Sequence, residues 1–347
     1  MSGSEKELSV VIPVYKTKIS LLNRCIESIL NQDVEDRPYE IIVVVDGEKE
    51  NEDILLGCSI LQDEHIRVIC QPHGGEAAAR NNGIDSAKGK WLVFVDADDY
   101  LPVGSLHSMI EVAEKENADI VVGNHSRVYG DNKTGIRYYT EQFVWPSDKS
   151  QEFMKHTLSM GSDQGTVWAK LYKTDFIKDS GEYLDRDLVN GVDQEFNVRI
   201  VLHSPRIVSI PDDVYSYVYN PSSVVRTFKS QYYDVSMRTV SAIRDDLKSS
   251  TLPADSVKRI FDIYCLDRLL MLLMNYVCNP HAPWPYSKRK QVFHAVCRNE
   301  CLSKALKTIP LSAIESKTRR IIIGFAKFNL FLPIYCACSL RYRQLKK

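Results

Sequence analysis

The sequence lacks the marks of several protein classes. Its 347 residues include only 16 Gly and 14 Pro, with no collagen period and no low-complexity tract. The formal net charge is -1 with 44% hydrophobic residues, so the disordered signature of low hydrophobicity and high net charge is absent. The start Met1-Ser2-Gly3-Ser4-Glu5-Lys6-Glu7 is polar and acidic, which reads as no secretory signal. Nine cysteines, an odd number, lack metal-type paired spacing, and most of them read as buried free thiols in a reducing cytoplasm. Cys336-x-Cys338 lies in a hydrophobic run and reads as core thiols. From Lys317 onward the chain has eight basic residues and no acidic one.

Near-neutrality hides an uneven distribution. Residues 1–230 carry 24 basic and 37 acidic side chains, whereas residues 231–347 carry 20 basic and 8 acidic. An acidic part joined to a basic part is the pattern of a working domain attached to a segment that meets a membrane surface or a nucleic acid. Single cores stop growing near about 250 residues, so a chain of this length divides readily. Two parts are expected, 1–230 and 231–347.

In the first part apolar runs alternate with helical patterns. Strands are expected over residues 8–15, 40–45, 65–70, 91–95 and 119–122, and helices over 21–30, 77–87 and 103–116. This alternation predicts an α/β fold, with a mostly parallel sheet covered by helices on both faces and ligands at the carboxyl ends of the strands. Residues 126–145 turn polar and aromatic and read as a hairpin or surface excursion. Regularity returns at 166–172, followed by a helix after Gly191 and a strand at 215–219 that ends in the turn signal Asn220-Pro221-Ser222-Ser223. Beyond Phe228, long helical patterns cover 233–248, 256–278 and 288–309.

The most informative segment is Val93-Phe94-Val95-Asp96-Ala97-Asp98-Asp99. Three carboxylates at the end of a buried strand repel one another unless a positive charge neutralises them, and oxygen-only ligands suit Mg²⁺ or Mn²⁺. In an extended stretch Asp96 and Asp98 share a side and Asp99 points elsewhere. A solvated acidic turn or a helix cap is the plainer reading of the same residues.

Five signals in one order resemble the glycosyltransferases of family 2, whose fold is called GT-A. Ser9-Val10-Val11-Ile12-Pro13-Val14-Tyr15 is similar to the family's opening strand, and Ser28-Ile29-Leu30-Asn31-Gln32 to the end of its first helix. Val43-Val44-Val45-Asp46-Gly47 is similar to its second strand and acidic turn, and Ala78-Ala79-Arg80-Asn81-Asn82-Gly83 to the helix before the metal strand. Asp96-Ala97-Asp98-Asp99 is similar to its metal-binding Asp-x-Asp. The likeness covers residues 8–228, with Val45, Glu48 and Val192 where the family often shows Asp, Ser and an acid.

The resemblance implies a UDP-sugar donor. Pro13 and Tyr15 would line the nucleoside pocket, Asp46 would accept a hydrogen bond from the uracil ring, and Arg80 would face the nucleotide. Asp98, helped by Asp96, would hold Mg²⁺ or Mn²⁺. A rigid strand exit, a core tyrosine, a turn-capping aspartate and a salt bridge from Arg80 to the acidic turns are the structural alternatives. His73-Gly74-Gly75-Glu76 reads as a flexible loop.

Direct displacement at a sugar carbon needs a carboxylate to remove the acceptor proton. Asp193, in Gly191-Val192-Asp193-Gln194-Glu195-Phe196, matches the second acid of the family's Glu-Asp-x-x-Phe pattern and is the implied base. Asp185 and Asp187 are the substitutes, and helix capping is the structural alternative. Residues 165–172 are similar to a segment that floors the acceptor site, where Trp168 would stack on a sugar and Lys170 would meet a phosphate or carboxylate. A core tryptophan and a surface lysine are the alternatives. Arg226, in the loop 220–226, is expected at the diphosphate. The Gln-x-x-Arg-Trp motif of processive members is missing, and Ile12-Pro13-Val14-Tyr15-Lys16 lacks the Gly-rich loop of a nucleotidyltransferase. A non-catalytic sugar-nucleotide-binding or scaffolding protein is the third reading, opposed by intact Asp96, Asp98 and Asp193.

Arg319-Arg320 precede a largely apolar run at 321–340, interrupted by Lys327, Asn329 and Pro333, and four further basic residues follow. A spanning helix needs about 20 mostly apolar residues and tolerates charge poorly. Cationic flanks near an anionic leaflet contribute about 1 kcal/mol each. Residues 319–347 therefore read as a membrane-associating helix at the interface, with packing inside the protein or a dimer, and true spanning, as alternatives. No nucleic-acid-reading motif accompanies the charge, and a homo-oligomer is compatible with it. With the resemblance, this implies a non-processive inverting transferase of bacterial polysaccharide type, cytoplasmic and peripheral at the inner face of the cell membrane. Its acceptor would be a lipid-linked saccharide in capsule, exopolysaccharide or cell-wall synthesis.

Overall fold

Strands with no polar face must be covered on both sides, and the β-branched runs of the first part form such strands. In the computed structural model, which describes residues 6–34, 37–219 and 228–344, they are β1 (Leu8–Val14), β2 (Tyr39–Asp46), β3 (Ile66–Gln71) and β4 (Trp91–Phe94). Five more follow: β5 (Ile120–Tyr129), β6 (Asn132–Ile136), β7 (Phe143–Trp145), β8 (Lys170–Lys173) and β9 (Ile207–Val218). The sheet order is β3-β2-β1-β4-β8-β5-β9-β7, with β6 paired to β5. β2 is buried over its whole length, and β1 runs parallel to both β2 and β4. The parallel arrangement holds from β3 to β4 and again between β5 and β9, whereas β8 is antiparallel to both its neighbours and joins the two halves.

Among the described residues the α-helices before residue 203 are α1 (Ile19–Leu30), α2 (Glu52–Gly57), α3 (Glu76–Ser86), α4 (Ser105–Glu116), α5 (Met154–Thr157), α6 (Thr174–Ser180) and α7 (Val192–Leu202). α1 buries Leu22, Cys25, Ile26 and Ile29, the spacing of a single helical face. α3 lies against β1 so closely that a Cβ on Gly83 would collide with the Val11 side chain. The excursion at 126–145 contains the β5–β6 hairpin. β9 begins well before residue 215, because a register shift opposite Val122–Asn124 absorbs Pro211 and Asp212.

The chain divides into two compact units. Residues 1–153, 166–187 and 192–220 form the first, and residues 154–165, 188–191 and 221–347 the second. The second contains α8 (Tyr232–Asp246), α9 (Ala254–Leu272), α10 (Tyr286–Arg298), α11 (Glu300–Thr308), α12 (Lys317–Lys327) and α13 (Phe331–Gln344). Segment 154–165 is held there by Arg319, which donates to the Met160 and Gly161 carbonyls, and by Asp267, which accepts from the Gly161 N–H at 2.8 Å. The pattern at 288–309 is two helices, because Asn299 interrupts it and caps α11 by accepting from the Cys301 and Leu302 N–H groups. The run at 321–340 is likewise two helices, separated by Asn329 at φ 59°, with Pro333 in the first turn of α13, where its missing N–H is tolerated. No helix among the described residues is long and apolar enough to cross a membrane. All nine cysteines are free thiols, with Cys70 and Cys336 exposed and six buried.

The Gly83 contact sets a test of this packing. Gly83→Ala is expected to cost about 1–3 kcal/mol through overpacking, read as a lower melting temperature by circular dichroism.

Candidate active site

β1, β2 and β4 end at one rim of the first unit, and the site is built from the residues that leave them. Asp46 closes β2. Its Oδ1 accepts from Gln71 Nε2 at 2.9 Å and the Gly74 N–H at 2.7 Å, and its Oδ2 from His73 Nδ1 at 2.7 Å and the Gly75 N–H at 2.9 Å. Burial pushes this carboxyl up, but the four donors outweigh it and hold its pKa below the ordinary value. Pro13 lies in β1 opposite Val44. Tyr15 follows β1, partly exposed, with its ring stacked on the His73 imidazole at 4.3 Å and 15°.

The acidic segment is a turn rather than an extended strand, since the Asp99 N–H donates to the Asp96 carbonyl at 3.0 Å. The turn sends Asp99 inward. It is buried and accepts from the Tyr215 hydroxyl and the Val218 N–H, both at 2.7 Å. The same hydroxyl accepts from the Asp96 N–H at 3.1 Å, so Tyr215 holds both ends of the turn. Burial, reinforced by Asp96 and Asp98, raises the Asp99 pKa well above the carboxylate range. The Asp98 carbonyl accepts from Arg24 at 2.5 Å, while no hydrogen bond or ion pair among the described residues engages its carboxylate.

Arg80 is turned toward the acidic turn, in the salt-bridged arrangement. It is 3% exposed, and its guanidinium reaches Glu76 Oε1 at 2.5 Å, Asp96 Oδ1 at 2.6 Å and Asp193 Oδ1 at 3.2 Å. Burial would favour its neutral form, but Glu76, Asp193 and Asp96 together raise its pKa, so it is a fixed cation. Asp96 is pushed up by burial and pulled back by Arg80, with Glu76 and Asp193 adding to the upward push. Asp193 stands in the first turn of α7, and its Oδ2 accepts from the Val167 N–H at 3.1 Å. Asn197, one turn later, donates to the Asp193 and Thr166 carbonyls and accepts from the Tyr172 hydroxyl. Segment 165–172 thus clamps the start of α7.

In that segment Trp168 and Lys170 are both covered. Trp168 is 6% exposed, stacked on Tyr215 at 4.6 Å and meeting His125 edge-on at 4.9 Å. Lys170 is buried and donates to the Thr166 carbonyl at 2.5 Å. Trp168 leads into β8 and Lys170 opens it, and both are covered because β8 is an interior strand; Trp168 buttresses the tyrosine that holds the acidic turn. Asp185 accepts from the Asp187 N–H at 2.8 Å and lines an open cavity of about 570 Å³ with Asn81, Tyr183 and Arg186. Neither Asp185 nor Asp187 is a partner of Arg80. Arg226 and the turn at 220–223 lie outside the described residues. Tyr215, Gln71 and Asn197 were not distinguishable in the sequence, where each is one polar member of an ordinary strand or helix pattern. His73 was marked only by its two neighbouring glycines.

A model of the family described as Glycosyl transferase family 2 matches residues 9–178. GlyG, a glycosyltransferase of Streptococcus pneumoniae, is 30% identical over 232 residues, which span 63% of this chain and 73% of GlyG. The chain belongs to glycosyl transferase family 2. EpsJ of Bacillus subtilis, described as an uncharacterized glycosyltransferase, is 25% identical over 326 residues, 93% of each chain. The crystal structure of S. aureus TarS 1-349 in complex with UDP-GlcNAc superposes with a TM-score of 0.67 at 18% identity, covering 97% of this chain and 92% of that one. The GT-A arrangement of the family is therefore the fold of this chain.

The family's acidic turn is suited to a cation. Glu76, Asp96 and Asp193 share one guanidinium, and Asp98 adds a carboxylate that no hydrogen bond or ion pair among the described residues engages, so negative charge is in excess there. Among the described residues no three His, Cys, Asp or Glu side chains converge as a ready-made cage. One or two aspartates completed by substrate phosphates is the ligand set that Mg²⁺ commonly takes.

The Tyr215 hydroxyl is the testable support. Tyr215→Phe leaves the buried Asp99 short of a donor and is expected to cost about 1–3 kcal/mol, measured by denaturant unfolding. An unchanged stability would show that the hydroxyl does not hold the turn.

Proposed function

We propose that the chain transfers one sugar, with inversion, from a UDP-sugar to a hydroxyl of a lipid-linked saccharide in capsule, exopolysaccharide or cell-wall glycan assembly. The observation that carries this reading is the single guanidinium joining Asp96 of the acidic turn to Asp193. Displacement at an anomeric carbon requires stabilisation of the leaving group and a base for the attacking hydroxyl, held in fixed relation. In this reading Pro13, Tyr15 and Asp46 receive the uridine, Asp98 helped by Asp96 holds Mg²⁺ or Mn²⁺, and Arg226 meets the diphosphate. The bound cation would neutralise charge on the departing diphosphate. Asp193 takes the hydroxyl proton as the acceptor oxygen attacks. Among the described residues its oxygens each have one donor, Arg80 and the Val167 N–H, which leaves each a lone pair for that proton. The sugar nucleotide in the TarS complex supports a UDP-sugar donor.

The helical tail supports peripheral attachment at the inner face of the cell membrane. Ile321, Phe328, Leu330, Leu332 and Leu340 are exposed on α12, α13 and the link between them. Lys317, Lys327 and Arg341 lie in the same stretch, and no acidic residue follows Glu315. Exposed apolar side chains gain burial in a headgroup layer while the cations meet anionic lipid.

Turnover is tested by a screen of UDP-sugars with Mn²⁺ that monitors UDP release. Asp193→Asn is expected to lower the rate about 10²- to 10⁴-fold while UDP binding is retained; a variant as active as the parent removes Asp193 from its role. Replacing Phe328, Leu330 and Leu332 by serine is expected to release the protein from phosphatidylglycerol vesicles in a flotation assay. Unchanged flotation would exclude this tail as the membrane contact.

A further inference from the structure

We propose that His73 is an internal stand-in for the nucleobase, which UDP must displace in order to bind. The inference rests on the reading that Tyr15 and Asp46 form the nucleoside seat. The imidazole makes both contacts that the seat would offer to a uracil ring. It lies flat on Tyr15, at 4.3 Å and 15°, and its Nδ1 stands 2.7 Å from Asp46 Oδ2. A carboxylate only accepts, and Asp46 is ionised under its four donors, so Nδ1 carries the proton. A ring N–H donated to Asp46 from a ring stacked on Tyr15 is the chemical pattern of the uracil imide.

Asp46 has no room for a fifth donor. Each of its oxygens already holds two hydrogen bonds, so an incoming N–H must replace one of the four. The Gly74 and Gly75 amides belong to the backbone and leave only if the loop is rebuilt. Gln71 ends β3 and sits in register with Asp46 itself. His73 is the donor that is released at least cost. Its side chain is 49% exposed, and it precedes Gly75, which has φ +88° and open space around the position of a Cβ. Rotation of one side chain would therefore vacate both the stacking face and the carboxylate oxygen. The apparent affinity for UDP is then reduced by the fraction of molecules in which the imidazole occupies the seat.

UDP binding measured by titration calorimetry on the full chain decides the matter, with His73→Ala and Tyr15→Ala as variants. Removing the stand-in frees about one hydrogen bond and one ring contact, so His73→Ala is expected to bind UDP about five- to tenfold more tightly, and Tyr15→Ala more weakly. In the parent protein, the imidazole proton resonances of His73, identified by their loss in His73→Ala, should lose the ring-current shift of Tyr15 when UDP saturates the site. Unchanged or weaker binding by His73→Ala, with Tyr15→Ala still weakened, overturns the inference and leaves the seat intact. His73 resonances that do not move on saturation also overturn it. If Tyr15→Ala binds UDP as the parent does, the seat itself is misassigned, which is a separate failure.

Discussion

A buried guanidinium without counter-charges is too costly to keep, and Arg80 meets that demand with three carboxylates at once. The geometry of the first unit follows from this. α3 has to approach β1 closely enough to bring Arg80 under the acidic turn, which requires a glycine where the helix crosses Val11. α7 has to begin where Asp193 can reach the same cation, and segment 165–172 fixes that point through the Val167 N–H and Asn197. The acidic turn is in turn braced from the sheet by Tyr215, with Trp168 packed behind it. Charge pairing and aromatic packing thus support the same few atoms from opposite sides.

Asp46 shows a second economy of the same kind. A carboxylate that gathers donors from His73, Gly74 and Gly75, with a fourth from Gln71 at the end of β3, gives the loop between β3 and α3 a defined shape. Such a loop is ordered and still able to exchange one partner, because a side-chain donor leaves independently of the backbone amides.

Elements with an unbroken apolar pattern were legible in the sequence: β1 to β4, α1 and α3 lie within a residue or two of their expected ranges. So were the acids of the turn and Asp193 at the start of α7. Direction and depth were not legible. Nothing in Lys170-Leu171-Tyr172 states that β8 runs against its neighbours, and its interior place in the sheet is what buries Trp168 and Lys170. Arg80 was visible as a cation near acids, but only the crossing of α3 over β1 determines that it turns inward. The long helical patterns at 288–309 and 321–340 are each two helices, because Asn299 and Asn329 end one helix and begin another. The tail is consequently two short helices with apolar side chains exposed at the link.

The place of β8 in the sheet also bears on synthesis. β4 is complete at residue 94 and β5 at residue 129, yet the strand that lies between them comes from residues 170–173. While the chain is emerging from the ribosome, both strands carry an open edge of unpaired amides and carbonyls, the kind of edge that pairs with other chains. β9, the parallel partner of β5, arrives later still. Closure of the sheet waits for long-range pairing, which is slow and leaves apolar strands exposed in the interval. The nascent polypeptide is therefore most open to aggregation, and most in need of a holding chaperone, between the emergence of β5 and that of β9.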